Sequence, residues 1–268
     1  MATFKRDPPR GVIAGPSGPV ELRRYHPGTD LHPLVEHFWL VRWDLTDRPP
    51  MRQYVLPHPT VHLVVETGRA EVVGVVEGRF ERVLEGRGRV LGIKLRPGAF
   101  AAFTEQPISE LTGRTIPMGQ MFGPPARRYV DAAQATDDDD ALCEQAEQFL
   151  RALRPCLPAP AQRARDLVER VQVDPSVKTV EALARLAGLG PRSLQRLMRR
   201  TVGVSPKWIL LRYRLHEALA RLERKEPVDW AELAVELGYF DQAHFIKHFK
   251  AFVGSTPAQY SRRLYDRA

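Results

Sequence analysis

Two sets of polar side chains, each at helical spacing, have the chemistry to read a nucleic acid. The first is Arg192, Gln195, Arg196, Arg199 and Arg200, interleaved with the apolar Leu194, Leu197 and Met198. The second is Asp241, Gln242, His244, Lys247, His248 and Lys250, interleaved with Phe245, Ile246, Phe249 and Phe252. A guanidinium binds guanine through two parallel hydrogen bonds, a carboxamide does the same for adenine, and both groups reach phosphates. A charge run on a helix is ordinarily a solvated face. In the first set, however, every charge is positive, which suits a polyanion.

Other chemistry finds less support. His58 and His62 flank Thr60-Val61, with His32, His37 and Glu66 near in sequence. A cupin metal site wants a His-x-His pair, a following Glu and a third His from a later strand. No His-x-His occurs, and no His lies between His62 and His216. The run Asp137 to Asp140 lacks the interleaved spacing of a calcium loop and reads as a solvated turn opening a helix. There is no Ser or Cys nucleophile motif, no phosphate-binding P-loop and no dinucleotide fingerprint. Catalytic, metal and cofactor residues are therefore expected to be none.

The polar sets must be held by helices, and the surrounding pattern supplies them twice. Leu183 to Pro206 and Leu233 to Pro257 align apolar on apolar: Leu183 with Leu233, Leu194 with Phe245, Met198 with Phe249, Val202 with Val253. Gly188 and Gly238 are 50 residues apart but Gly203 and Gly254 are 51, so the second copy holds one extra residue just after its first Gly. Each copy reads as helix, Gly turn, helix. That is the helix-turn-helix plan, whose second helix enters the major groove. Between the copies, Trp208 to Arg224 reads as one unbroken helix.

These motifs resemble the AraC-type transcription regulators over about residues 165–263. The residues that carry the resemblance are the A-x-x-x-G turns (Ala184 to Gly188, Ala234 to Gly238), the GY-x-D-Q-x-H-F run (Gly238 to Phe245) and the G-x-[ST]-P closures (Gly203 to Pro206, Gly254 to Pro257). Gly190 stands where the family usually has a Ser or Thr helix cap, and Met198 where Phe is usual. The resemblance implies base reading by Arg192, Gln195 and Arg196 in the first unit and by Gln242, Ala243 and Lys247 in the second. Phosphate contacts are expected at Arg199, Arg200, His244 and Lys250. A rival, a DNA-repair enzyme using such a region for delivery, needs a reactive Pro-Cys-His site, and Cys156 is followed by Leu157.

The chain has 268 residues, 40 basic and 32 acidic side chains, and a formal net charge of +8. Residues 1–159 hold 20 basic and 20 acidic side chains, and residues 160–268 hold 20 and 12, so the whole excess lies in the C-terminal part. Only that part is expected to meet nucleic acid. The two cysteines, 143 and 156, suggest no zinc finger and a reducing compartment. No apolar leader and no 18-residue apolar run occur, so the expectation is a cytoplasmic protein with no membrane partner.

From Val35 to Leu95 the period is two, and six short strands are expected, near residues 37–43, 53–56, 61–65, 70–76, 79–84 and 90–95. Residues 1–33 read as loop or short strand, and 98–133 as helical and loopy. Three runs, Val35 to Val41, Leu91 to Phe100 and Ile108 to Met118, resemble the uncharacterised sensor-like domain that precedes some AraC-type regions. The resemblance implies a regulatory domain, a cupin-like barrel or sandwich with short helices. Ala141 to Leu153 is an amphipathic helix that either packs on its own β domain or pairs with its twin in a dimer. Pro155 to Pro160 reads as a stiff linker.

The expected architecture is multidomain. A β-rich sensor domain spans residues 1–135, a helix and Pro-rich linker 136–163, and an all-α double helix-turn-helix domain 164–268. The expected partners are double-stranded operator DNA and a small-molecule effector bound by the first domain, without a cofactor. A second copy of the chain and RNA polymerase are further candidates, and the protein activates or represses.

Overall fold

The period-two segments form strands as the alternation requires. In a computed structural model describing residues 12–13, 19–224 and 228–265, these are β1 (Val12–Ile13), β2 (Val20–Tyr25), β3 (Val35–Leu45), β4 (Met51–Val55), β5 (His62–Glu66), β6 (Arg69–Val73), β7 (Phe80–Leu84), β8 (Gly86–Leu95) and β9 (Thr115–Pro117). Most of the expected loop over residues 1–33 up to Pro19 lies outside the described residues. The strands make two antiparallel sheets rather than one closed cylinder. Six run in the order β2-β3-β8-β5-β6-β9, and three in the order β1-β4-β7.

β3 and β8 form the spine, paired from Val35 with Leu95 to Leu45 with Gly86. A bulge between Val35 and His37 changes which residues face inward. Phe38 and Leu40 then enter the main core, while Trp43 and Leu45 turn to the other face and meet Val20 and Leu84. Two glycines of β8 let the β3 tryptophans lie flat across it. A Cβ on Gly92 would stand 1.9 Å from the Trp39 ring, and one on Gly88 2.1 Å from Trp43.

The main core lies between the six-stranded sheet and three helices, α1 (Met118–Phe122), α2 (Pro124–Gln134) and α3 (Asp139–Ala152). It is filled by side chains, with Phe38, Phe100, Leu40, Leu63, Ile93 and Leu95 almost wholly buried. The aspartate run opens α3 as expected, because the Asp138 carboxylate accepts from Ala141 N at 2.8 Å.

The apolar stripe of α3 packs on its own β domain. Leu142, Ala146, Phe149 and Leu150 are buried there, and Phe149 stacks on Tyr129 at 4.7 Å. The boundary expected at residue 135 therefore cuts a helix away from its core. Burying each of Leu142, Phe149 and Leu150 contributes about 1.5–3 kcal/mol. A fragment of residues 1–135 is expected to melt without cooperativity in circular dichroism, and one of residues 1–154 to melt cooperatively. Equal cooperativity in both would show α3 to be dispensable.

The first helix of the all-α domain expected over residues 164–268 starts five residues before that boundary, inside the expected linker. α4 (Ala159–Val173) has Pro158 as its N-cap and Pro160 in its first turn, where a missing N–H costs nothing. β2 falls in the segment expected as loop or short strand and α2 in the stretch expected as helical and loopy, neither with bounds of its own, and β9 has no counterpart in the sequence pattern. β9 is a three-residue edge strand, too short to show alternation.

The remaining helices are α5 (Val180–Leu186), α6 (Pro191–Thr201), α7 (Pro206–Glu223), α8 (Trp230–Glu236), α9 (Gln242–Val253) and α10 (Pro257–Tyr265). The α5–α6 and α8–α9 pairs each turn on a left-handed glycine, Gly188 at φ 57° and Gly238 at φ 74°. α7 joins them. Its first half gives Ile209, Leu210 and Tyr213 to the core of the first unit; its second half gives Leu215, Ala218, Leu219 and Leu222 to that of the second. The β domain reaches both cores, placing Val75 in the first and Leu56 in the second.

Candidate nucleic-acid interface

α6 buries Leu194 and Met198 and leaves Arg192, Gln195, Arg196, Arg199 and Arg200 exposed. None of these five pairs with a carboxylate among the described residues, although Arg221 in α7 holds both Glu217 and Glu236. Gly190 caps α6 without a side-chain hydrogen bond, and the first turn carries Arg192 and no acid. A cation at the positive end of a helix is unfavourable by a few tenths to about 1 kcal/mol. An arriving phosphate or guanine relieves that repulsion.

α9 is better capped. The Asp241 carboxylate accepts from His244 N at 2.7 Å, so Asp241 holds the helix start instead of adding to the reading face. Phe245, Phe249 and Val253 are buried. Ala243, His244, Lys247 and Lys250 are exposed, and Gln242 is half-buried. His248, grouped by spacing with the outward residues, turns inward. Its Nδ1 lies 2.7 Å from Tyr239 Oη and its ring 4.9 Å from Phe252. Burial first, then His244, Arg212 and Arg214, lower its pKa to about 4, so it carries no charge toward a ligand. The structure thus brings the expected readers and phosphate contacts onto two exposed helix faces and withdraws His248.

Sequence reasoning missed how the β domain holds the far ends of both helices. At the C-terminal end of α6, Thr112 Oγ1 donates to Gly203 O at 2.9 Å. At the C-terminal end of α9, a Cβ on Gly254 would meet Arg79 Nη1 at 2.1 Å, so the arginine lies directly on the glycine. Between them, Arg212 of α7 donates to Glu77 O and Gly78 O. Its guanidinium sits 4.5 Å from the Trp208 ring and 4.7 Å from Phe252. Burial lowers its pKa to about 10, against a smaller opposing pull from Glu77. Arg96 pairs with Glu169 of α4 at 2.9 Å. These contacts join residues 73 to 175 positions apart, a range over which no local pattern carries a signal.

Residues 183–263 match a helix-turn-helix domain family, and residues 23–117 match a domain of unknown function (DUF6597). The C-terminal domain is an AraC-type helix-turn-helix domain. Two curated relatives are described as HTH-type transcriptional regulators. One, an uncharacterized HTH-type transcriptional regulator of Haemophilus influenzae, is 34% identical over 85 residues, covering 32% of this chain and 28% of its own. Another, the HTH-type transcriptional regulator GlxA of Rhizobium meliloti, is 33% identical over 135 residues, covering 50% of this chain and 39% of its own. The chain thus spans well under half the length of either relative. Similar solved structures include the C-terminal domain of AraT, a response regulator from Geobacillus stearothermophilus, at 28% identity and a TM-score of 0.34 over 38% of this chain and 84% of that one. ToxT from Vibrio cholerae aligns at 9% identity and a TM-score of 0.39 over 91% of this chain and 98% of its own.

Among the described residues, no group of three or more His, Cys, Asp or Glu is placed to hold a metal. No described helix is long and apolar enough to cross a membrane.

Proposed function

We propose that this chain is a sequence-specific transcription regulator of the AraC type, acting on DNA in the cytoplasm under the control of a small organic effector. The observation that carries the reading is the pair of exposed, unneutralised basic helix faces, mounted on two helix-turn-helix units that share one spacer. Arg192, Gln195 and Arg196 read bases through α6; Gln242, Ala243 and Lys247 read them through α9. Arg199, Arg200, His244 and Lys250 hold phosphates.

Substitution separates the two roles. Arg196→Ala is expected to cost about 1–3 kcal/mol on the preferred duplex and to relax one base position. Arg200→Ala or Lys250→Ala should weaken all duplexes alike and reduce the slope of log affinity against log salt by about 1. Fluorescence anisotropy at several salt concentrations measures both. If Arg196→Ala changed neither specific nor random binding, α6 would not be a reader.

The effector reading rests on the contacts at Thr112, Arg79 and Glu77. A ligand that shifts the β domain shifts the ends of both readers together. Screening metabolites by thermal shift, then remeasuring DNA affinity, tests it; an effector that moves melting but never DNA binding would refute the coupling. A second copy and RNA polymerase complete the proposed partners. Sedimentation of the chain on its duplex distinguishes one copy from two.

A further inference from the structure

Phe240 is the most exposed large apolar residue among those described, at 91% of its surface. Single exposed apolar side chains are common and ordinarily need no account. Val173, Leu186 and Val235 are such cases. Phe240 differs in its place. It directly precedes Asp241, the N-cap of α9, so its ring stands at the helix end that carries Gln242, Ala243 and His244. A recognition helix meets base edges through its N-terminal residues.

The repeat gives a second, independent observation. In the first unit two residues separate the turn glycine from Pro191, the first residue of α6; in the second, three separate Gly238 from Gln242, the first of α9. Leu189 of the first unit packs against its own core, and Tyr239 does the same in the second, 5% exposed. Both follow their glycine directly. The cap positions also correspond, Gly190 with Asp241. The residue left over is Phe240. The second unit therefore carries one inserted side chain, apolar and aromatic, placed in water at the reading end of its helix.

We infer that Phe240 is a specificity-determining residue that packs on the C5-methyl group of a thymine beside the bases met by α9. The thymine methyl is the one apolar feature of the major groove, and phenylalanine is among the side chains suited to it. Adenine and guanine present polar edges to the groove, and cytosine offers only a C5–H beside its amino group, so a bare ring prefers thymine. The first unit has no counterpart, and its half of the site carries no such preference from this position.

The proposal rests on the DNA reading above, and the test separates the two. Duplexes are enriched from a random library with the full chain, and each thymine of the enriched site is replaced singly by deoxyuridine, which removes only the methyl. Wild type is expected to lose roughly three- to ten-fold affinity at one thymine, near the bases read by α9. Phe240→Ala should bind the thymine duplex as weakly as wild type binds the uracil duplex and should ignore the substitution; Phe240→Leu should keep part of the discrimination. The side chain is exposed, so the variants should melt as wild type does. Enrichment of no sequence over random would refute the DNA reading and this inference together. Equal uracil sensitivity in wild type and Phe240→Ala, or a uniform loss on every duplex with no methyl dependence, would overturn the inference and leave the DNA reading intact.

Discussion

Ala218→Pro is expected to destabilise the C-terminal region by about 3 kcal/mol or more and to uncouple the two helix-turn-helix units. Ala218 is fully buried in α7, five residues from its end, with Leu215, Leu219 and Leu222 packed in the second unit's core. Proline there removes the hydrogen bond from position 218 to the carbonyl of Arg214 and drives its ring into that carbonyl. Eighteen residues make α7 about 27 Å long. That rigid length sets the distance between two readers that must meet successive major grooves about 34 Å apart on one DNA face. Bending of the DNA makes up the difference.

The wild-type monomer should therefore protect two neighbouring grooves in a footprint, and the proline variant one or none. Ala218→Gly, which costs about 1 kcal/mol in propensity without removing an N–H, is the control and should keep both grooves. Two-groove protection by the proline variant would show that α7 does not set the spacing. Single-groove protection by wild type would show that the second unit is not a reader.

Acidification from pH 7 to pH 5 is expected to weaken the contact between the β domain and α7. His58 stacks on His216 of α7, ring centroids 3.9 Å apart and planes at 12°. Around the pair stand Tyr213 and Arg212 on α7, Lys94 on β8, Glu36 and His37 on β3, and His62 on β5. Lys94 Nζ is 2.8 Å from Glu36, and Trp39 Nε1 donates to His62 Nδ1 at 3.2 Å. Burial, then Arg212 and Lys94, hold His216 at about 3; burial, then Lys94 and His37, hold His62 at about 3. Burial and the neighbouring His216 push His58 well below its ordinary value.

Each of these groups is neutral when folded and binds a proton near pH 6.5 when unfolded. The unfolded chain thus holds more protons at mildly acid pH, and stability rises with pH. The stabilisation is complete above about 6.5 and is lost as pH falls toward 3. The full slope is about 1.4 kcal/mol per pH unit per histidine. The three residues are half-buried rather than sealed from water, so a loss on the order of 2–3 kcal/mol is expected by pH 5. Most carboxylates titrate lower, which keeps the window clear. Urea melts from pH 5 to 8 measure the slope, and His216→Phe, which keeps a stacked ring without a titrating nitrogen, should flatten it. An unchanged slope in that variant would assign the acid sensitivity elsewhere.

Both reading helices were legible in the sequence because their periodicity, their glycine turns and their internal repeat are local. Leu194 and Met198, or Phe245 and Phe249, fix the buried face by spacing alone, and the arginines of α6 follow as the other face. His248 was misplaced for the same reason. Its inward turn depends on Tyr239, held by a turn one residue longer than its counterpart. The strands over 35–95 were legible as alternation, but their division into two sheets was not. That division follows from which strands pair, β4 with β1 and β7, and β5 with β6 and β8.

By itself the sequence determined two helix-turn-helix units with basic outward faces, a β-rich region before them, and a charge excess confined to the second. Each is written in neighbours three or four residues apart, or two apart in strands, and needs no distant partner. Tertiary structure alone decided that α3 completes the β domain's core, since its apolar stripe suited that core and a twin helix equally. It alone decided that the β domain reaches both units, through Thr112 on Gly203, Arg79 on Gly254 and His58 on His216. Such contacts depend on how two surfaces meet, and residues more than 90 positions apart leave no periodic trace of it in the chain.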